Sequence, residues 1–534
     1  MKADTTAVIC KYCGMPNCAM HSSVAGTTVP AEGTAMHRMA GVPPYLAAGG
    51  IVLIILVSHL VLSRRGGLPG TRFRVNLFRI PGLKAAVRRP WFPFTLQATS
   101  VTLFLLVLAT GFFGSSRVNI GPVLTWTWWW ALLIFLVLFF GKAFCSVCPW
   151  EGLSSLVSSL SVSSRIKKLG FERPWPRRLR NIYPAMALFI LLTWFELGLD
   201  ITRSPLLTAV MGLAFVSLAV VTALVFERRA FCRYLCLVGR IQGIYAMFSP
   251  VELRPDSADV CRTCRGKECY RGSETAVGCP TSLFPGALKE NTYCTLCTEC
   301  VRACPKDNLR INLRPFASDL LAKVRFKWDE AVLAVVLLAL TSFHGLTMTP
   351  AWFRMTNLLR ADLGLGPRPV FTLLMLLMIL APILLFWGAA WASVRLAPSG
   401  GLTVGRTFRM FAYSVIPIAL FYHLAHNSMH FFMEGQHLVP LLSDPFGWGW
   451  DLFGTAGRSY PPLLTLRTIW WMQVGLIVVG HVFGVVVADR IALRSYPDRR
   501  TALRALAPLI GTMVLYSSFS VWLIAQPMAM RTGM

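Results

Sequence analysis

Charge is what this chain has least of. Only 14% of its 534 residues are charged, against 55% hydrophobic. Soluble domains carry about 25% charged residues, so a soluble globular protein is excluded and a polytopic membrane protein is expected. Acidic residues are scarcer still, with 24 Asp and Glu against 52 Lys and Arg and a formal net charge of +28. Such an excess can mark a nucleic-acid binder. Here the cations gather in short loops between apolar runs, the positive-inside pattern of membrane topology, and no nucleic-acid partner is expected. Residues 305–534 contain no cysteine, which confines thiolate chemistry to the first part of the chain. No nucleophile elbow or acid–base set is present, which argues against a hydrolase. The first 44 residues lack an apolar core long enough for a cleavable signal peptide.

Long apolar runs are abundant. A span needs about 20 apolar residues, and ten stretches fit: 45–63, 95–113, 124–141, 181–198, 206–226, 329–348, 370–391, 408–433, 467–488 and 506–525. They predict an all-α polytopic membrane protein of about ten transmembrane helices with a small cytoplasmic two-cluster ferredoxin-like insert. The expected organisation is an extracytoplasmic Cys/Met/His-rich segment (1–44), a five-helix membrane domain (45–226), the insert (227–328) and a second five-helix domain (329–534). The loop after the first span holds Arg64, Arg65, Arg72, Arg74, Arg79, Lys84, Arg88 and Arg89, and the loop after the third is equally basic. Both are therefore expected in the cytoplasm of a bacterial inner membrane. Alternation then places 227–328 on the same side, with both termini and the loop 434–466 outside.

The cysteines form three groups. "CRTCRGKECYRGSETAVGCPTSLFPGALKENTYCTLCTECVRACP" ends in a full bacterial ferredoxin run, Cys294, Cys297, Cys300 and Cys304 followed by Pro305. Its first half, Cys261, Cys264, Cys269 and Cys279 followed by Pro280, is a stretched version. In two-cluster ferredoxins the fourth cysteine of each run ligates the other cluster. Two [4Fe–4S] clusters are thus expected, one on Cys261, Cys264, Cys269 and Cys304, the other on Cys279, Cys294, Cys297 and Cys300. Soft thiolates suit that chemistry, and a pair of zinc sites is the alternative.

"FCSVCPW" at 144–150 and "FCRYLCLVGRIQG" at 231–243 each follow a span at its cytoplasmic end. With the insert, they resemble the membrane polyferredoxins typified by the NapH and NosR proteins of nitrate and nitrous oxide respiration, and a copper-handling oxidase accessory protein of the same arrangement. The resemblance covers about residues 95–315. It departs where Cys145 and Cys148 are one residue closer than the family's C-x-x-x-C-P and where Leu237 replaces the second proline. It implies electron transfer coupled to the quinone pool or to a metal acceptor. By ligand count, Cys145, Cys148, Cys232 and Cys236 suffice for a third iron–sulfur cluster, with a structural motif or redox dithiol pair as the alternative.

The cysteine-free half offers histidines. His423, His426 and His430 recur at i, i+3 and i+7, one helix face, and His481 lies deep in the next span. Ionisable groups within spans are costly and mark function, so these four are candidate metal or haem ligands. Histidine with methionine suits copper, and His423 with His481 suits a b-type haem. Cys10, Cys13, Cys18 and His21 form a further candidate metal site near the amino terminus, similar to a short motif of copper-maturation proteins, with a zinc knuckle as the alternative.

The leading expectation is a membrane iron–sulfur electron-transfer protein, an oxidoreductase if it is an enzyme. It would link a cytoplasmic donor or the quinone pool to an extracytoplasmic reductase or metalloprotein. A copper transporter or assembly factor with regulatory clusters is the rival.

Overall fold

The computed structural model describes residues 38–64, 73–89, 91–159, 170–227, 229–274, 276–398 and 401–529. Cys10, Cys13, Cys18 and His21 lie outside them. Among the described residues, nine helices are long and apolar enough to cross a membrane: Pro44–Ser63, Trp91–Phe113, Ile120–Phe140, Pro205–Val225, Trp328–Thr347, Pro367–Leu396, Val404–Ser443, Leu466–Ser495 and Arg499–Ala525. The expected fourth span is instead the 16-residue apolar helix Tyr183–Gly198. It rises only about 24 Å at 1.5 Å per residue, short of a hydrocarbon core of about 30 Å. The chain reverses at Asp200, which takes a left-handed conformation (φ 51°), and Ser204 then caps the next helix by accepting from the Leu207 N–H.

The helix around 415–434 forms the middle of the bundle. Every residue from Val415 to His430 is buried, packed against Trp328–Thr347 on one side and Leu466–Ser495 on the other. Gly480 and Gly484 permit the second approach, since a Cβ on Gly480 would stand 2.6 Å from the Phe421 Cβ. The first span packs on the last two, and a two-residue ladder joins β1 (Arg38–Met39) to β5 (Met528–Ala529) at that end of the bundle.

A small α/β unit caps the opposite end. β3 (Val251–Pro255) and β4 (Leu309–Leu313) pair antiparallel and bracket the eight cysteines of 261–304. The sheet has a third strand, β2 (Val75–Asn76), which pairs with the other edge of β4. It comes from the loop that follows the first span. Lys84 and Arg88 both reach Asp307 at 2.5 Å, and Arg74 meets the buried Glu252 at 2.8 Å. The described part of the first basic loop, 73–89, is therefore part of the cysteine-bearing unit.

The unit is fixed to the bundle in two further ways. The helix Leu237–Tyr245 is buried along its whole length, and a Cβ on Gly243 would stand 2.4 Å from the Thr292 carbonyl oxygen. That glycine lets the helix touch the loop leading to Cys294. Tyr293 also donates to Glu330 at the start of the span Trp328–Thr347, at 2.6 Å.

Candidate iron–sulfur sites

The local structure of 294–304 follows from its short polar and small residues. Leu296 and Thr298 adopt left-handed conformations (φ 52° and 61°), unusual for any residue with a side chain and most unusual for a β-branched one. Such conformations cost about 1–3 kcal/mol each and cluster at functional sites. They curl the chain so that the backbone N–H groups of Leu296 and Glu299 donate to Cys294 and Cys297. Cys279, Cys294, Cys297 and Cys300 line one cavity with about 340 Å³ of atom-free space. The Leu283 N–H donates to the Cys279 sulfur at 3.2 Å.

Cys261, Cys264, Cys269 and Cys304 line a second cavity, closed by Phe284, Pro305 and Asn308. Asn308 donates through Nδ2 to the Cys261 sulfur at 3.2 Å. Burial, then the neighbouring Cys304, Cys261 and Cys264, push the Cys269 thiol up to about 12. Each cavity thus gathers the four cysteines expected from the alternating assignment.

The third group assembles from two helix ends. Cys148 immediately precedes the helix Pro149–Ser159, and its carbonyl accepts from the Gly152 N–H. Cys236 caps the helix Leu237–Tyr245, its sulfur accepting from the Gly239 N–H at 3.3 Å. Both cysteines therefore sit at the positive end of a helix dipole, where a thiolate is favoured. Cys232 lies on a π-helical turn, Phe231–Leu235, a distortion frequent at functional sites. Leu237 occupies the first helical position, so the proline expected there is replaced without loss of the helix.

Burial raises Cys145, Cys148 and Cys232 above the usual thiol value and pushes Cys236 up to about 12. Each of the four lies within electrostatic reach of the others. Bare, they would be neutral at pH 7; held as thiolates, they need compensating positive charge. The wall supplies part of it. Lys142 is buried and lowered by that burial, an effect opposed by Cys145, Cys236 and Cys232. Arg229 is anchored to the buried Glu151 at 2.5 Å and influences both Cys232 and Cys297.

These shared neighbours order the groups. Cys300 lies within electrostatic reach of Cys269, Arg229 of both Cys297 and Cys232, and Lys142 of both Cys294 and Cys145. The three sets follow one another toward the bundle. Among the described residues, no three His, Cys, Asp or Glu side chains converge on a single metal ion. Four thiols spread around a cavity fit an extended inorganic core better than one zinc ion. Lys142, Arg229 and Arg240, the last a buried cation that acts on Cys145 and Cys236, do not stand out in the sequence, because each reads as one more cation in a basic loop. Their spacing of three or four residues from a cysteine was the available signal.

The histidines divide. His423, His426 and His430 line a buried cavity with His344, Glu196, Trp126 and Trp130. His430 Nδ1 lies 3.3 Å from Glu434, and the His344 and His426 rings are 4.8 Å apart. His481 is not brought to this cavity. Its two ring nitrogens meet Ser58 at 2.7 Å and Ser517 at 2.9 Å, so both are engaged and the ring serves packing between the first span and the last two. A haem shared by His423 and His481 does not fit this placement, and the cavity presents no ready-made single-ion site. Glu196 was missed from sequence. It stands 3.9 Å from the Nδ1 of His344.

Comparison with known proteins bears on the same residues. A family model described as "4Fe-4S binding domain" matches residues 123–168 and 208–253, the two segments that carry Cys145, Cys148, Cys232 and Cys236. The chain is similar to "Putative electron transport protein YccM" of Escherichia coli (strain K12), 27% identical over 195 residues, 33% of this chain and 52% of that protein. It therefore spans about half the length of that relative. An uncharacterized protein of Methanocaldococcus jannaschii is also 27% identical, over 227 residues, 40% of this chain and 85% of that protein. No solved structure matches the chain. The chain carries iron–sulfur binding segments in a bundle of membrane-type helices, in support of iron–sulfur electron transfer.

Proposed function

We infer that this protein conducts electrons through three four-cysteine sites, from the cytoplasmic face into the membrane bundle, on the way to an extracytoplasmic acceptor. The observation that supports the reading is the gathering of Cys261/Cys264/Cys269/Cys304 and Cys279/Cys294/Cys297/Cys300 around two cavities, with Arg229 and Lys142 each within electrostatic reach of both the second set and Cys145/Cys148/Cys232/Cys236. Bound in these sets, [4Fe–4S] clusters would supply one-electron chemistry. The protein's part is to supply thiolates, backbone N–H donors and buried cations, and to keep water out. The electron-transport description of the Escherichia coli relative supports the reading. The finer likeness to the nitrate and nitrous oxide respiratory polyferredoxins and the link to the quinone pool belong to this proposal.

Beyond the third set, aromatic rings continue toward the middle of the bundle. Phe144, beside Cys145, lies 6.1 Å from Trp129; Trp129 lies 6.1 Å from Trp130; Trp130 lies 6.4 Å from His423. These rings lead to the histidine cavity, the proposed exit toward the outer face. No copper or haem step is included, because the donors there do not converge.

The test is anaerobic purification with iron analysis and paramagnetic spectra. About twelve irons are expected, four per set, and Cys145→Ser with Cys148→Ser should remove about a third of them. Zinc in place of iron, or no iron change in the double variant, would overturn the three-site reading. A reporter fused at Ser257 that reads out as extracytoplasmic would reverse the direction.

A further inference from the structure

We propose that the large cavity between the three-stranded sheet and the ends of two spans binds the headgroup of an anionic phospholipid. This rests on the reading that the helical bundle crosses a membrane. The cavity holds about 1040 Å³, at the top of the range for sites that enclose whole ligands. Its two walls differ in chemistry. One is apolar: Phe139 at the end of a span, Phe316, and Phe483 and Val486 on the helix Leu466–Ser495. Phe139 packs edge-on against Phe316 at 6.3 Å, and both are partly open. The other wall is charged and belongs to the sheet and its flanks.

The charges do not balance. Arg74, Arg254, Lys289, Arg314, Arg490 and Arg494 face Glu252, Asp319 and Asp489. The three carboxylates are already engaged. Glu252 accepts from Arg314 at 2.9 Å and pairs with Arg74 at 2.8 Å. Asp319 pairs with Arg314 at 2.5 Å, and Asp489 pairs with Arg499. Arg314 is nine-tenths buried, yet its Nε and Nη2 are buried without a hydrogen-bond partner. Those two atoms are shut off from the cavity, so the cations open to an occupant are Arg74, Lys289, Arg490 and Arg494, and a guanidinium fork matches two phosphate oxygens.

The depth of the site selects the source of the phosphate. Arg490 and Arg494 lie on the last two turns of their span, and the Phe139 wall continues onto the lipid-facing surface. A phosphate held at this level would leave its acyl chains along Phe139 and Phe483. A soluble phosphate gains nothing from that wall. A neutral amphiphile such as a quinone gains nothing from the excess of cations. Arg254, which lines the cavity, also acts on Cys294, so an occupant here would adjoin the second four-cysteine set.

The experiment uses the full-length protein, delipidated in detergent, with phosphatidylglycerol, phosphatidylcholine, inorganic phosphate and a short-chain quinone as separate probes. Stoichiometry is read by native mass spectrometry and affinity by the shift in thermal midpoint. One phosphatidylglycerol should be retained, with affinity at least tenfold above phosphatidylcholine. Arg490→Gln with Arg494→Gln should reduce that affinity about tenfold without changing iron content. Ala322→Trp, which narrows the cavity and removes no charge, should reduce it as well. Equal retention of both lipids, binding of phosphate alone, preference for the quinone, or unchanged phosphatidylglycerol binding in both variants would each overturn the proposal. Iron content and spectra report on the electron-transfer reading separately.

Discussion

Replacing Glu330 by glutamine removes one charge and almost no volume. The side chain is fully buried and accepts from Lys323 at 3.0 Å, Lys327 at 3.1 Å, Tyr293 at 2.6 Å and Tyr413. An amide keeps an acceptor for only one of the two tyrosines, which bond different carboxylate oxygens, and weakens the hold on Lys323, whose side chain is only 3% exposed. Removing one partner of a buried ion pair costs about 3–5 kcal/mol. Lys323 retains Glu290 and lies 4.9 Å from the Tyr413 ring, which puts the expected loss near the lower end, about 3 kcal/mol. At 1.4 kcal/mol per factor of ten, that is roughly a hundredfold increase in the open population. Because Tyr293 precedes Cys294, the opening should be felt at the second four-cysteine set. Hydrogen exchange of the β3 and β4 amides should accelerate about a hundredfold, and iron loss to a chelator should accelerate with it. The exposed Asp362→Asn serves as a control. A change under about threefold, or no larger than the control, would refute the claim that this network clamps the cysteine-bearing unit to the bundle.

Three further outcomes are expected. Gly243→Leu should abolish loading of the Cys279/Cys294/Cys297/Cys300 set, because even a Cβ there would stand 2.4 Å from the Thr292 carbonyl; iron analysis of the membrane-inserted variant checks this. Burial tends to raise the Asp307 carboxyl, but the Lys84 hydrogen bond and the Arg88 charge outweigh it and hold it below the usual range. Its contribution is therefore present above about pH 4 and lost as pH falls through the lowered value, so exchange at β2 in Asp307→Asn should exceed wild type at pH 7, and the difference should vanish as the pH is lowered through that value. Trp129→Leu should slow reoxidation of the third set by an outer acceptor without changing iron content, as read by stopped-flow absorbance, and an unchanged rate would remove Trp129 from the path.

The spans were legible because a window of about 20 apolar residues needs no tertiary information, and nine of the ten expected stretches are long apolar helices among the described residues. The remaining stretch, 181–198, folds as the shorter apolar helix Tyr183–Gly198, ended by the turn at Asp200, which hydropathy does not register. The grouping of Cys261 with Cys304, and of Cys279 with Cys294, was available from spacing because cysteine alternation in two-cluster ferredoxins is a chain-order rule. What could not be seen were partners brought from afar. β2 carries only two paired residues and looks like any basic loop. In sequence His423 and His481 both lie deep in apolar spans, yet which one meets Ser58 and Ser517 and which one lines the cavity depends on how the spans rotate against one another. Helix rotation is set by packing, and packing leaves little trace in a helix that is apolar all round.

The pairing of Val75 with Leu313 spans roughly 240 residues of chain. At a synthesis rate of about 5–20 residues per second, β2 emerges roughly 10 to 50 s before its partner strand exists. During that interval three further helices long and apolar enough to cross a membrane and the shorter Tyr183–Gly198 are made, and all eight cysteines of the insert leave the ribosome. The insert's last cysteine, Cys304, precedes β4 by only a few residues, so the sheet closes just after the thiols are complete. Completion of the sheet thus marks, in time as well as in space, the moment at which the unit can keep what has been placed in it.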